Sequence, residues 1–522
     1  MIKGVSYMFK KKLTRREFLK YSGATGAALA ASSALGPVAR VFAKDRIKVP
    51  IGDPNHFGGM KLNYVQDTNW MYAPLFVSPH IEKEAGVSVG KDTVEYFKIG
   101  EGFSKIVPQL MSRKPKWDWI QFSPMFLGSF VSMGALEPLD PYLEKYAGTE
   151  EYLDQVMPAY REFYMKWDGK VYGVMLDGDI HLLHYRPSFF NDPELKKKFE
   201  KRFKRELKPP ETWYEYRDAA QFFTEELKDK GIYGVEWVVN NPLFGWGFYY
   251  DMIASKGVNY FDENMNPTIV NDDAVEALEL FKEINQFAPP GHETMGIDET
   301  ITYWQSGRVV MAVWWIDLTE FTAQAKPEIA DDQASALVPG WKIGDKVVHR
   351  AMTLYNRIAS IPKNLPPERK EAAFYFIYRL SHQDYSTYYV ADEYSGSDPF
   401  MKLHYVSPEQ YLLPDPLRGT SDLWPTNSGI FHKLSTAENH LKAGYENVKV
   451  GYPQFNWSGA VEYAQSMSIN FSKFISGQLT AKQALEKTAD EWVKIVQKYG
   501  LENQKKQYAN FVAGAKKLGY WK

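Results

Sequence analysis

The sequence predicts an α/β protein that is built from at least two lobes. A chain of 522 residues is too long to fold around one small hydrophobic core. Short apolar runs alternate with amphipathic helical segments, a pattern typical of α/β proteins with largely parallel sheets. The run at 309–315 is apolar throughout, which favours a strand that is buried on both faces.

Each predicted element follows from a local pattern. The first part of the chain predicts strands at 62–65, 94–99, 117–122, 171–174 and 180–185, and helices at 103–111 and 126–133. Residues 273–287 have apolar positions at helical spacing. Thr480 and Gln483 form a capping box ahead of a second such helix. Residues 385–460 are rich in Tyr, Pro, Ser and Asn, and predict long loops and short helices around a cleft.

Residues 1–43 predict an export signal. Arg15 and Arg16 precede a segment rich in Ala, Gly and Ser, which is the pattern that the twin-arginine translocase reads. The segment is too short for a stable membrane span, and small residues at its end predict cleavage near Ala43. The alternative is a basic amphipathic helix followed by a linker. We expect a mature protein in the periplasm or at the extracellular face of the membrane.

Composition excludes several function classes. The net charge is −2, but residues 1–43 carry eight basic side chains and one acidic one. The remaining chain is therefore acidic and offers no basic surface for a phosphate backbone, so nucleic acid is not an expected partner. There is no cysteine, which removes disulfides, thiol nucleophiles and thiolate metal ligands. Phosphate-loop, nucleophile-elbow and zinc-protease motifs are absent too, and no cofactor is predicted.

Two acidic residues close to each other favour a polar binding site. Asp177 and Asp179 lie two positions apart between predicted strands, which puts their carboxylates on one face, roughly 7 Å apart. Such a pair accepts hydrogen bonds from sugar hydroxyls, or serves an inverting glycosidase, or has a structural role beside a hinge. His181 and His184 do not predict a metal site, because residues three apart on a strand point to opposite faces.

Aromatic residues make up 15% of the chain. Sugar rings have an apolar face and a rim of hydroxyls, so a site for them combines flat aromatic side chains with a few carboxylates and amides. Several of the 15 tryptophans fall at strand ends or in loops rather than in helical stripes. We expect some of them to line one cleft, although any single tryptophan is more often a core residue.

Five segments, in order, resemble the extracellular solute-binding proteins of carbohydrate ATP-binding-cassette importers, the maltose-receptor-like family. These segments are 117–122 (WDWIQF), 134–140 (GALEPLD), 170–186, 210–216 (PETWYEY) and 304–311 (WQSGRVVM). The resemblance covers roughly residues 47–500. The chain departs from the family at Trp314 and Trp315, where smaller residues are usual, and in the long 385–460 region.

The resemblance implies a two-lobed periplasmic-binding-protein fold of type II. Its lobes are discontinuous and joined by crossing strands, with the ligand cleft between them. We expect lobe 1 at 44–178 plus 315–370, and lobe 2 at 179–314 plus 371–522. The ligand-binding residues expected in the cleft are Gln66, Asp67, Trp70, Ser123, Asp177, Asp179, Trp246, Trp315, Asp317 and Trp424.

The function implied by the resemblance is capture of a sugar or oligosaccharide by lobe closure and delivery to the permease subunits of an ABC transporter, without catalysis. One alternative is a receptor of the same fold for a polyol, a sugar phosphate or another small solute. The other is a secreted glycoside hydrolase that uses Asp177 and Asp179.

Overall fold

The computed structural model describes residues 47–68, 72–146, 148–323, 325–392, 395–412 and 429–521. Its strands are Met60–Lys61, Tyr64–Asp67, Val87–Ser88, Val94–Phe97, Trp119–Phe122, Lys166–Trp167, Lys170–Val171, Val174–Asp177, His181–Tyr185, Tyr233–Glu236, Val309–Trp315, Ala334–Ala336, Trp341–Ile343, Lys346–Val348, Ala351–Thr353, Arg357–Ser360 and Gly451–Pro453. Its α-helices are Ala73–Ala85, Gly102–Leu110, Leu127–Ser132, Asp140–Tyr146, Thr149–Gln155, Pro158–Tyr160, Pro187–Asn191, Pro193–Phe203, Trp213–Leu227, Gly245–Ser255, Asp272–Asn285, Ile297–Gln305, Leu318–Ala323, Pro327–Ala330, Pro367–Ser381, Gln383–Tyr389, Leu434–Val448, Ala460–Ile475, Ala481–Tyr499 and Leu501–Lys517. The predicted signal at 1–43 lies outside the described residues.

Two sheets organise the chain. The first sheet has the strand order 94–97, 64–67, 119–122, 357–360, 174–177. The second sheet has the order 233–236, 309–315, 181–185, 334–336. Both are mixed: the first three strands of the first sheet are parallel, whereas 357–360 runs antiparallel to both of its neighbours. The expectation of largely parallel sheets is therefore wrong for the strands where the chain returns from one sheet to the other.

The apolar run at 309–315 is confirmed as a strand in which every residue is buried. It pairs parallel with 233–236 and antiparallel with 181–185, where Trp315 lies opposite His181. It therefore occupies the interior of the second sheet, with neighbours on both edges.

The chain crosses from the first sheet to the second between Asp177 and His181. Gly178 is required in this crossing segment, because an added Cβ would lie 2.2 Å from the carbonyl oxygen of Pro399. The Gly178 N–H donates to the Asp398 carbonyl at 3.1 Å, and the Ile316 N–H donates to the Ile180 carbonyl at 2.9 Å. The crossing segment is thus hydrogen-bonded to Ile316, directly after strand 309–315, on one side and to the 395–400 segment on the other.

Two elements differ from the predicted lobe boundaries. Strand 334–336 pairs with 181–185 in the second sheet, although 315–370 was expected in lobe 1. Helix 367–381 is tied to helix 73–85 beside the first sheet, because Arg379 Nε donates to Glu84 Oε2 at 2.8 Å. It was expected in lobe 2 from residue 371 onward. The other lobe boundaries remain a prediction.

Local sequence patterns predicted the helices most accurately. The Thr480–Gln483 capping box begins helix 481–499, and helix 272–285 matches its predicted stripe closely. The 385–460 region was expected to be loops and short helices, yet it contains the 15-residue helix 434–448. Its buried face includes Ala437, Leu441 and Val448, a pattern that the surrounding polar composition obscured. No helix among the described residues combines the length and the apolar character that a membrane crossing requires.

Candidate functional site

A buried arginine joins two carboxylates where strands of the first sheet end. Arg357 Nε donates to Asp67 Oδ2 at 2.8 Å, and its Nη1 donates to Asp177 Oδ2. Asp67 and Asp177 are fully buried, and Arg357 is 5% exposed. Each is the last or first residue of a strand in this sheet, so the topology brings together side chains that are far apart in sequence. Buried charges of this kind are retained only when they are paired.

The backbone before Arg357 is strained. Tyr355 has φ 82° and Asn356 has φ 54°, the left-handed region that bulky side chains rarely adopt. The Tyr355 carbonyl accepts from Ser123 Oγ at 2.6 Å and from Gln454 Nε2 at 2.8 Å. The Tyr355 hydroxyl donates to Asp67 Oδ2 at 3.0 Å. Ser123, predicted to bind ligand, therefore holds this strained peptide beside the site.

Four more carboxyl groups interact electrostatically with Asp177. Asp179, Asp317, Glu320 and Asp398 form no ion pair with a lysine or arginine in the part of the chain that the structure describes. Burial, together with repulsion from Asp177, raises the pKa of Asp317 to about 7. Burial likewise raises the pKa of Asp179 and of Asp398 well above the usual range, with neighbouring carboxylates adding to it. The site is strongly acidic, and Arg357 supplies the positive charge that pairs with Asp67 and Asp177.

The carboxylates of Asp177 and Asp179 do not stand apart as an ideal strand predicts. Asp177 ends its strand, and Asp179 lies in the crossing segment. One oxygen from each, with one from Asp398, falls within 4.8 Å of the others. Asp177 Oδ1 accepts from the Asp398 N–H at 2.6 Å, and Asp179 Oδ2 accepts from the Asn356 N–H at 2.7 Å. The pair is thus engaged by backbone donors and is closer than the 7 Å expected.

Trp315 lies next to this group. Its Nε1–H donates to the Leu354 carbonyl at 2.9 Å, one residue before Tyr355. Its ring makes edge contacts with those of His181, Phe244 and Phe248, and it is 5% exposed. Asp317, two residues on, is partly exposed, and its Oδ1 is buried without a hydrogen-bond partner. The side of the site nearest Trp315 therefore holds an unused acceptor.

The structure does not bring all the predicted residues together. Trp246 is fully buried and packs against Tyr250, Tyr260 and Phe455. It is a core residue because helix 245–255 is buried on all sides, and its prediction as a binding residue is corrected. Gln66 precedes Asp67 on one strand, so their side chains point to opposite faces, and Asp67 is the one that meets Arg357.

Trp70 and Trp424 lie outside the described residues. His181 and His184 have separate partners: His181 Nδ1 meets Asp251 Oδ2 at 2.7 Å, and His184 Nε2 meets the Trp315 carbonyl at 2.9 Å. Arg357, Asn356 and Asp398 were missed. The Tyr355–Asn356 pair carries the one available signal, since asparagine tolerates left-handed backbone, but a single Asn predicts no site.

His404 anchors the 395–400 segment over the crossing. Its Nδ1 accepts from the N–H groups of Phe400 and Met401 at 3.1 and 3.3 Å, and Nε2 lies 2.9 Å from Ser386 Oγ. Because two donors face Nδ1, the ring is neutral, and Nε2–H donates to the serine. Burial lowers the pKa of His404 to about 3.

Acid should therefore destabilise this anchor. The pKa of His404 is about 3 in the folded protein and near 6.5 in the unfolded chain. Its contribution to the free energy of unfolding is therefore fully present above about pH 6.5 and is lost as the pH falls toward 3. At pH 5 the expected cost is about 2 kcal/mol. His404→Asn should be less stable at pH 7.5 but should lose less between pH 7.5 and 5, as measured by urea unfolding. Exposed His80→Asn is the control; an unchanged pH slope in His404→Asn would contradict the prediction.

Comparison with known protein families gives two matches. Residues 79–377, more than half of the chain, match the model of bacterial extracellular solute-binding proteins. The chain belongs to this family. Residues 12–32 match the twin-arginine translocation signal sequence. The solute-binding protein is thus exported, to the periplasm or the extracellular face of the membrane, as the arginine pair predicted.

Solved structures share the two-lobed fold. The maltose-bound MalE3 of T. maritima is 16% identical, with a TM-score of 0.62 over 83% of this chain and 99% of that one. The sugar-binding protein MalE of Xanthomonas citri is 14% identical, with a TM-score of 0.64 over 84% and 98%. A ribitol-bound ABC solute-binding protein of Agrobacterium radiobacter K84 is 17% identical, with a TM-score of 0.61 over 84% and 99%. The predicted α/β fold of type II is confirmed.

Export should depend on the arginine pair. Changing Arg15 and Arg16 together to lysine should leave the precursor in the cytoplasm, because the translocase reads the guanidinium pair rather than charge alone. Fractionation followed by immunoblotting measures this. Changing Lys10 and Lys11 to arginine, outside the pair, is the matched control and should export normally. Export of the double-lysine variant at the wild-type level would contradict twin-arginine dependence.

Proposed function

We propose that the mature protein captures a sugar or oligosaccharide between its lobes and delivers it to the permease of an ABC transporter. The observation that carries this is the unused acceptor of Asp317 beside Trp315, at the meeting of the two sheets. Sugar hydroxyls donate to carboxylates, and an indole lies against the apolar face of the ring. Maltose and ribitol in the named structures support this class of solute.

The acidic character of the site disfavours a phosphorylated solute. Arg357 is already shared by Asp67 and Asp177, so an anion would meet repulsion from the surrounding carboxylates. Neutral polyhydroxy compounds, including polyols, avoid this cost. The proposal therefore favours sugars over sugar phosphates, with polyols as the nearest competitors.

Transport without catalysis is the role that the family supports. Asp177, the candidate nucleophile or base of the hydrolase alternative, is paired with Arg357 and accepts from the Asp398 N–H, which reduces its nucleophilicity. In the proposed cycle the lobes open to admit the solute and close around it, and the permease recognises the closed form. The twin-arginine translocase acts once, during export.

Calorimetric titration against a panel of monosaccharides, oligosaccharides and polyols tests the class of solute. A ligand at 100 times its Kd adds about 2.7 kcal/mol to stability, so a thermal-shift screen identifies candidates first. Binding of sugars at micromolar Kd is the expected result. Binding confined to polyols selects the alternative receptor, and binding of neither class overturns the proposal.

Asp317→Asn tests the site itself. We expect a roughly 10- to 100-fold weaker affinity, the scale of a hydrogen bond to a charged group. The melting temperature should be maintained or rise, because one repelling carboxylate is removed. Asp345→Asn, on an exposed hairpin, is the matched control. Wild-type affinity in Asp317→Asn would remove Asp317 from the site.

The hydrolase alternative has its own test. Oligosaccharide incubated for a day with stoichiometric protein should be recovered intact. Release of reducing ends by the wild-type protein, abolished in Asp177→Asn, would replace the receptor with a glycoside hydrolase.

A further inference from the structure

The acidic group of Asp177, Asp179 and Asp398 has the composition of a cation site. One oxygen from each of Asp177, Asp179 and Asp398 lies within 4.8 Å of the other two, and all three residues are buried. Ca²⁺ binds oxygen ligands at 2.3–2.6 Å, so two ligands on opposite sides of it stand about 4.8 Å apart. The three oxygens therefore fit around one such ion.

Unpartnered buried atoms around this group independently point to a ligand. Asp398 is 2% exposed, and its Oδ2 has no hydrogen-bond partner. Asn356 is fully buried, and its Oδ1 is also without a partner. The Asn356 carboxamide lies against the crossing, because its Nδ2 donates to the Asp179 carbonyl at 3.2 Å. Carboxylate and amide oxygens of this kind are the ligands that Ca²⁺ prefers.

The charges near the group also favour a cation. Arg357 pairs with Asp67 and Asp177. In the described part of the chain, no lysine or arginine forms an ion pair with Asp179 or Asp398. A buried carboxylate is stable only when it is paired, protonated or bound to a metal.

We propose that a divalent cation, Ca²⁺, binds between Asp177, Asp179 and Asp398, with Asn356 Oδ1 as a further ligand. The ion joins the crossing segment at 178–180 to the 395–400 segment that covers it. Its ligands differ from the solute acceptor, which is Asp317. An atomic ion suits this group better than an organic cation, because the three carboxylates are buried and close together.

The test uses the mature protein, stripped of metal with EGTA, and needs no sugar. CaCl₂ should raise the melting temperature, half-maximally between about 0.1 and 1 mM, the range of extracellular calcium modules. NaCl of equal ionic strength should leave the melting temperature unchanged. No response to CaCl₂ up to 10 mM at pH 7.5, or an equal response to NaCl, would overturn the proposal.

Asp398→Asn and Asp179→Asn locate the ion. Each should weaken the calcium response at least tenfold, yet in EGTA each should melt at or above the wild-type temperature, because a repelling carboxylate is removed. The control Asp154→Asn lies on the surface, 72% exposed, and should respond as the wild type does. A full response in both site variants would overturn the assignment. Sugar binding is measured separately, so either proposal can fail alone.

Discussion

Replacing Arg357 by glutamine should lower the free energy of unfolding by about 3–5 kcal/mol, the cost of leaving a buried ion pair without one partner. Arg357 holds Asp67 through Nε and Asp177 through Nη1. Both carboxylates are fully buried, so neither gains water when the guanidinium is lost. Urea unfolding of the mature protein, monitored by far-UV circular dichroism, measures the loss.

The matched control is Arg202→Gln, which breaks an arginine–carboxylate pair on the surface. Arg202 and Glu225 are 37% and 44% exposed, and such pairs contribute less than about 1 kcal/mol. Adding Asp177→Asn to Arg357→Gln should recover part of the stability, because the unpaired charge is removed with it. Similar losses in Arg357→Gln and Arg202→Gln would mean that Arg357 is not a structural cation.

The sequence was most informative where periodicity and local chemistry decide the structure. The strand at 309–315 is apolar at every position, and a short run of this kind, rich in Val and Trp, favours a strand that is buried on both faces. The Thr480–Gln483 capping box marks the start of its helix because both side chains bond to backbone groups within three residues. The arginine pair at 15–16 is read directly as a signal.

Contacts distant in sequence were not predictable. Asp67 was predicted as a site residue, but its partner Arg357 lies 290 positions away. The strand that carries Arg357 has no distinguishing pattern. Asp398 lies in a segment whose sequence predicts a loop, and its position depends on the close approach of Gly178 to the Pro399 carbonyl. The residue type indicates which carboxylates could belong to a site. Which cation or donor each of them contacts depends on the topology of the fold.

Two tryptophans also show what the sequence could not predict. Trp246 is the second residue of helix 245–255 and is enclosed by Tyr250, Tyr260 and Phe455. Trp315 ends a strand at the crossing. Burial separates them only in the folded protein, because each residue's local sequence is apolar on both sides.

Trp315→Ala should weaken both the fold and solute binding. We expect the free energy of unfolding to fall by about 3–5 kcal/mol, as for other buried aromatic truncations, since the ring packs on His181, Phe244 and Phe248. Solute affinity should fall by about 1–3 kcal/mol through loss of an aromatic face. Thermal melts and calorimetric titration on the same protein separate the two effects.

Trp314→Ala is the control that separates loss of stability from loss of solute affinity. Trp314 is 1% exposed, and its Nε1 donates to Thr300 Oγ1 at 3.1 Å. As neighbours on a strand, Trp314 and Trp315 point to opposite faces of the second sheet. Both truncations should therefore cost similar stability, whereas only Trp315→Ala should lose affinity. Equal affinities in the two variants would make Trp315 a core residue alone, and would leave Asp317 to bind the solute without an aromatic partner at this position.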